Sequence, residues 1–251
     1  MKPQHKAQYQ PLRTERREMF AVPFYFMQYN QNLNDIVMDV RRAVAEIETR
    51  VDVDDIERNY TTYFDREMFH KHISCKDWAK DLATSLKDTY VDIMHKEFMK
   101  DPRQLQLTRR NIHLHMWVNR YTETHQHNSH NHKGSMLSGT FYVKTGQPCA
   151  PIIFESPMEG QNFLFQAQDQ NYDQGQHGLH GVPALTHEYH FRPKDGDIAF
   201  WPSYVYHHVP RTVGQEERIS ISFNLAHYEQ LNYDQADDEL QDLDYGFLHY
   251  E

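Results

Sequence analysis

The sequence predicts a mainly β domain, a sandwich or barrel, backed by N-terminal α-helices. Three observations predict it. Before Pro102, two segments repeat apolar residues every three to four positions. After Pro102 the repeat drops to two. From there to residue 225 short alternating segments follow one another, separated by turn signals. A helical preface followed by a run of strands suits a β-sandwich or barrel with supporting helices.

Residues 1–18 are polar and basic without a period, and read as a loose arm. Residues 19–27, MFAVPFYFM, suit a strand, and Pro23, which lacks an N–H, favours its edge or its start. Over 33–47, Leu33, Ile36, Val37, Val40, Val44 and Ile47 share one helical face, with Asn32 or Asn34 as a cap. Over 77–99, Trp78, Leu82, Leu86, Tyr90, Ile93 and Phe98 do the same, with Asp77 near the start. In NIHLHMWVNRY, Ile112, Leu114, Met116 and Val118 face one way, and His113, His115, Trp117 and Asn119 the other. Further strands are predicted at 138–144, 151–155, 187–192, 197–201 and 217–225, with turns at Lys133-Gly134 and Asp195-Gly196. Residues 160–186, rich in Gln, Asn, Asp and Gly, read as a long functional connection, a lid or substrate loop. The tail from Glu229 is acidic, without Lys or Arg, and reads as a solvated extension.

Bulk properties bound the function. The 251 residues suffice for one large domain, and a formal net charge of -10 argues against a nucleic-acid-binding face. Two cysteines, Cys75 and Cys149, do not make a disulfide framework and point to a reducing compartment. No apolar leader and no run of apolar residues long enough to span a membrane is visible, so a soluble, cytoplasmic protein is expected. The sequence leaves the oligomeric state open. Histidine stands out: there are 18, scattered rather than gathered into a tag.

Several of those histidines fall into a pattern. His130 and His132 are two apart, so a strand would aim both to one side. Downstream, GDIAFWPSYVYHHVPRTVGQEERISISFN carries a strand that ends at Pro202 and a turn that delivers His207. Arg218 follows eleven residues later, on a strand whose one face is Arg218, Ser220, Ser222 and Asn224 and whose other face is Ile219, Ile221, Phe223 and Leu225. A buried polar face needs partners, and a guanidinium beside serines can grip a carboxylate through two parallel bonds.

In this order and spacing the residues resemble the Fe(II)/2-oxoglutarate-dependent oxygenases. The likeness is greatest to a phage and bacterial, prolyl-hydroxylase-like branch, whose strings here read HNHKGSMLSGTFYV and GDIAFWPSYVYHHVPRTVGQEERISISFN, and it covers about 112–226. The resemblance implies a double-stranded β-helix (a jelly roll, cupin-like) over 111–228, with 1–110 as arm, strand and supporting helices, 229–251 as tail, and one structural domain overall. It implies Fe(II), 2-oxoglutarate and O₂ as cofactor and cosubstrates. His130 and His207 match metal ligands, and His132 stands where the family has a carboxylate, either as a third ligand or one step removed with water between. Arg218 matches the anchor of the far carboxylate of 2-oxoglutarate, with Ser220 beside it and Tyr142 on the same carboxylate; Trp117 and Asn119 could line the pocket. The implied reaction couples decarboxylation of 2-oxoglutarate to succinate with hydroxylation of a C–H bond in a peptide, amino acid or small metabolite.

The same residues also allow blander readings. His125 and His127 read as loop residues, and His113 and His115 as satisfied core histidines. Arg218 could sit in a structural salt bridge, and Tyr142 could be core packing. Cys149 has no base near it in sequence, which argues against a nucleophile. Two rival functions remain: a cupin-type metal enzyme that does not use 2-oxoglutarate, and a non-catalytic binding protein on the same barrel. KGSML after His132 lacks the Glu that cupins commonly place there, which weakens the first rival.

Overall fold

The structure, a computed structural model, describes residues 22–49, 60–98, 107–122, 125–157, 188–214 and 216–227. The expected arm at 1–18, the connection at 160–186 and the tail from Glu229 lie outside the described residues.

Nine strands are described: β1 Tyr25–Gln28, β2 Ile112–Tyr121, β3 His127–His130, β4 Leu137–Lys144, β5 Ile152–Glu155, β6 Glu188–Phe191, β7 Asp197–Pro202, β8 His207–Val209 and β9 Arg218–His227. They form an antiparallel five-stranded sheet, β1-β7-β4-β9-β2, and a four-stranded sheet, β3-β8-β5-β6. The fold is the double-stranded β-helix.

The period of two decides what faces what. The apolar rows of β2 (Ile112, Leu114, Met116, Val118) and β9 (Ile219, Ile221, Phe223, Leu225) join helices α1 (Leu33–Glu48) and α3 (Asp77–Ile93) in one buried core. On the opposite side of the large sheet, Tyr142, Ala199 and Trp201 pack with Ile152, Phe154 and Val209 of the small sheet. The large sheet is therefore sandwiched between helices and a second sheet. Its inner face is free to carry polar residues only where a cavity interrupts that second core. β2 and β9 stay in register over ten residues, which places Asn119 opposite Ser220 and Tyr121 opposite Arg218. Gly139 of β4 is required by close approach: a Cβ there would overlap the Phe223 ring and the Ala199 carbonyl.

Most predicted elements appear where alternation or helical spacing puts them. Pro23 precedes β1, an edge strand, as a residue without an N–H must. Several details differ. The described part of the first predicted strand starts at Tyr25, not at the expected apolar run's beginning. Asn32 occupies the N-cap position of α1, but with φ 58 and no side-chain cap bond. The second helix leaves α geometry at Ile93 and closes with a π-helical turn, Met94–Phe98. A short helix, α2 (Arg66–Phe69), which Asp65 caps by accepting from the Met68 N–H at 3.1 Å, runs into a π-turn His70–Ser74 and was not anticipated. His132 falls beyond β3, so the strand alternation expected to align it with His130 does not operate. No helix among the described residues is long and apolar enough to cross a membrane.

One ionic cluster ties helix to sheet. Glu217, one residue before β9, accepts from Arg41 of α1, from Arg120 of β2 (2.8 Å) and from Lys144 of β4 (3.2 Å). Burial alone would raise its pKa, but the bonds from Arg41, Arg120 and Lys144 win and hold the carboxyl at about 2. The folded value lies below the unfolded one of about 4.3, so this contribution is complete above that pH and is lost as pH falls toward 2. Glu217→Gln is expected to cost about 1–3 kcal/mol at pH 7. The gap in melting temperature between variant and parent should close on acidification, and a gap that persists at pH 2 would locate the cost in packing instead of charge.

Candidate active site

An open cavity of about 410 Å³, mouth included, lies between the two sheets. Its walls carry Trp117, Asn119 and Tyr121 from β2, Arg218, Ser220 and Ser222 from β9, and four histidines, His127, His130, His132 and His207. The hydrophobic core between the sheets stops at this point, and the polar row of β9 faces the space.

Three of the imidazoles converge. One nitrogen from each of His130, His132 and His207 lies within 4.8 Å of the others. The backbone sets two of them: β3 pairs with β8, and His130 stands directly opposite His207. His130 Nδ1 donates to the Asn128 carbonyl at 2.8 Å, and His207 Nδ1 donates to the Val205 carbonyl at 3.0 Å. A carbonyl only accepts, so in the neutral rings each Nε2 keeps its lone pair. His132 Nε2 sits 3.3 Å from His207 Nε2. A metal–nitrogen bond of about 2.1 Å puts two neighbouring ligand nitrogens about 3 Å apart, so this pair already has ligand spacing. Burial drives the His132 pKa down to about 2 and that of His207 to about 3, helped by the other imidazoles. Both rings are therefore neutral near pH 7, the form that binds a metal.

The far end of the row holds a charge. Arg218 is 2% exposed, donates from Nη1 to the Ala150 carbonyl at 3.1 Å, and lies 5.1 Å from the Tyr142 ring and 5.7 Å from the Tyr121 ring. Its Nε has no hydrogen-bond partner, and among the described residues it pairs with no carboxylate. The structural salt bridge weighed for Arg218 is thus not found there. The buried Tyr142 hydroxyl makes no hydrogen bond of full geometry among the described residues, although the Thr140 side chain acts on it and favours its charged form. Burial pushes the Tyr142 phenol up to about 12, with the Arg218 charge opposing, so it stays a donor. Ser220 is buried beside them and registers with both Tyr142 and Asn119. Asn119 is less available than expected, because its Nδ2 already donates to Ser222 Oγ at 3.0 Å. An unpaired guanidinium and phenol, both buried, are what a carboxylate would satisfy.

Of the singled-out site residues, all but Tyr142 line this one cavity, Tyr142 lying against Arg218, and two that were not singled out join them. Tyr121 continues the alternation of Trp117 and Asn119, which would have revealed it. His127, expected in a loop, lies in β3 with its ring 4.0 Å from that of His130. His115 stacks with Trp117 and Tyr63 instead of reaching the cluster, and His125 packs on Tyr60 and Tyr121.

Residues 115–224 match the family described as "Putative 2OG-Fe(II) oxygenase". The match spans less than half of the chain and is a similarity to the 2OG-Fe(II) oxygenases. Fe(II) and 2-oxoglutarate are the cofactor and cosubstrate of this family, and the three-histidine cluster can hold a metal. Similar solved structures include a prolyl-4-hydroxylase from Pseudomonas putida, at 14% identity over 82% of this chain and 88% of that one, TM-score 0.46. HygX from Streptomyces hygroscopicus with nickel and 2-oxoglutarate bound is 11% identical over 86% of this chain and 89% of that one, TM-score 0.42. A search of curated proteins returned no match.

The neutral histidines make acid sensitivity a property of the metal-free protein. His115 and His127 are depressed to about 4 by burial, beside the lower His132 and His207. Unfolded imidazoles titrate near 6.5, so the unfolded state takes up protons first and stability falls as pH drops below that value. Each ring should remove about 1 kcal/mol between pH 7 and 5.5. Melting temperatures of the metal-free protein across that range test this, and His127→Gln should flatten the slope.

Proposed function

We propose that this oxygenase is an Fe(II)/2-oxoglutarate-dependent hydroxylase, with His130, His132 and His207 as metal ligands and Arg218, Tyr142, Ser220 and Asn119 as the cosubstrate site. The observation that carries the reading is a single cavity with converging lone pairs at one end and, at the other, a buried guanidinium that has no carboxylate partner among the described residues. When bound, iron with 2-oxoglutarate supplies the oxidising chemistry: O₂ is reduced, 2-oxoglutarate becomes succinate and CO₂, and a substrate C–H bond becomes C–OH.

The chain supplies position, polarity and dryness. Val205 and Asn128 fix the ring orientation of His207 and His130 through their Nδ1–H groups, as outer partners of metal-bound histidines commonly do. Arg218, with its guanidinium carbon over the Tyr121 and Tyr142 rings, can offer two parallel N–H donors to a carboxylate, and the Tyr142 hydroxyl a third. Asn119, Thr140 and Ser222, joined at 3.0 and 3.4 Å, form the polar floor between the two ends. Trp117, Trp201 and Phe154 wall the histidines with rings and exclude water. Among the described residues that line the cavity, Arg218 alone carries a permanent charge, which favours an uncharged C–H group of a peptide, amino acid or small metabolite. A metal enzyme on this barrel that used no 2-oxoglutarate would leave Arg218 and Tyr142 unsatisfied.

Anaerobic titration with Fe(II) and 2-oxoglutarate is expected to give the weak visible charge-transfer band of chelated cosubstrate; intact, iron-loaded protein without it would refute the reading. Arg218→Ala should weaken 2-oxoglutarate binding by about 2–5 kcal/mol while sparing iron. Equal loss of both would make Arg218 a structural residue.

A further inference from the structure

The third imidazole poses a problem that the other two do not. His130 and His207 are fixed by the β3–β8 ladder, whereas His132 lies past the end of β3, one residue before the turn at Lys133-Gly134. Its backbone N–H donates to the Ser203 carbonyl at 3.0 Å. Ser203 lies just before His207 in the chain, after β7 and ahead of β8, and is 1% exposed. Its own N–H donates to the Met136 carbonyl at 3.1 Å, and the Met136 N–H donates to Leu225 at 2.9 Å. The Ser203 hydroxyl meets Ser138 Oγ at 2.7 Å, and Ser138 Oγ donates to Asn224 Oδ1 at 2.8 Å. One serine therefore joins the turn that carries His132 to the turn that leads to His207, and pins both to β4 and β9.

Resting on the metal-site reading above, we propose that Ser203 is a positioning residue that holds His132 at the metal through its backbone, with the buried Ser203–Ser138–Asn224 bonds as the fixed point. Ser203 is not among the described residues that line the cavity. It sets where the Ser203 carbonyl points, and that carbonyl sets His132. Placement of the third ligand thus depends on a side-chain network on the inner face of the large sheet, in place of strand alternation.

The test is anaerobic Co(II) titration, read by visible absorption and by dissociation constant, of the parent, Ser203→Ala, Ser138→Ala, His132→Ala and the Ser203→Ala/His132→Ala pair. Ser203→Ala is expected to weaken Co(II) binding by about 10- to 100-fold, the range seen when an outer partner of a metal ligand is removed. Its spectrum should move toward that of His132→Ala, and Ser138→Ala, which breaks the same bond from the other side, should do likewise. In the His132→Ala background, Ser203→Ala should cost nothing further. If the two losses multiply, Ser203 acts on the fold at large and the proposal is overturned; unchanged affinity in both serine variants overturns it as well. A parent protein that binds no Co(II) would sink the metal-site reading and this proposal together, a result distinct from the other two. Melting of the metal-free variants identifies any that fail to fold, and the remaining serine variant then decides.

Discussion

A guanidinium buried without a counter-charge among the described residues is the constraint around which the rest of the structure is arranged. Removing an ion from water costs several kcal/mol unless something compensates. The fold offers Arg218 one carbonyl and two aromatic faces, which is partial compensation. It can tolerate the remainder because β9 is stiff: ten residues pair with β2 on one side, β4 runs along the other, and four apolar side chains anchor it to the helices. Rigidity keeps Arg218 from swinging out to water. The same rigidity holds Ser220, Ser222 and Asn224 in a row that leads from the charge toward the histidines.

What was legible in the sequence follows from period. In Arg-Ile-Ser-Ile-Ser-Phe-Asn-Leu, alternation fixes both faces of β9 at once, and β2 is readable for the same reason. A period-two segment that is apolar on one side and polar on the other has only one way to sit between a helical layer and a cavity. The helices were legible because their apolar stripes are long. Short elements were not: α2 rests on one Asp65 cap and on packing, neither of which has a period. Pairing partners were equally hidden. Nothing local marks Glu217 as the acceptor for cations on three different elements, or His207 as the partner of His130 across a ladder.

His132 shows that a correct grouping can rest on an incorrect reason. Strand alternation predicted that it would point with His130, and the two do converge, yet β3 ends before His132 is reached. Convergence comes instead from a hydrogen bond to a residue far along the chain. Spacing can suggest that two side chains share a task; it does not say which force aligns them. His127 errs in the opposite direction, since it lies on the strand and beside His130 but was set aside as loop.

An imidazole in place of a carboxylate also changes the charge of the cavity. On the proposed assignment, three neutral histidines leave a divalent metal's charge undiminished, and among the described residues lining the cavity the only permanently charged side chain is the cation Arg218. A carboxylate ligand would have cancelled one unit of that excess. Here it must come from what binds, and 2-oxoglutarate carries two carboxylates, one for each positive end. Metal and cosubstrate then each make the site a better place for the other, and by linkage that benefit is equal in both directions. Loss of the carboxylate ligand would thus bind metal and cosubstrate more closely together, with Arg218 and the three imidazoles acting as the two ends of one electrostatic unit.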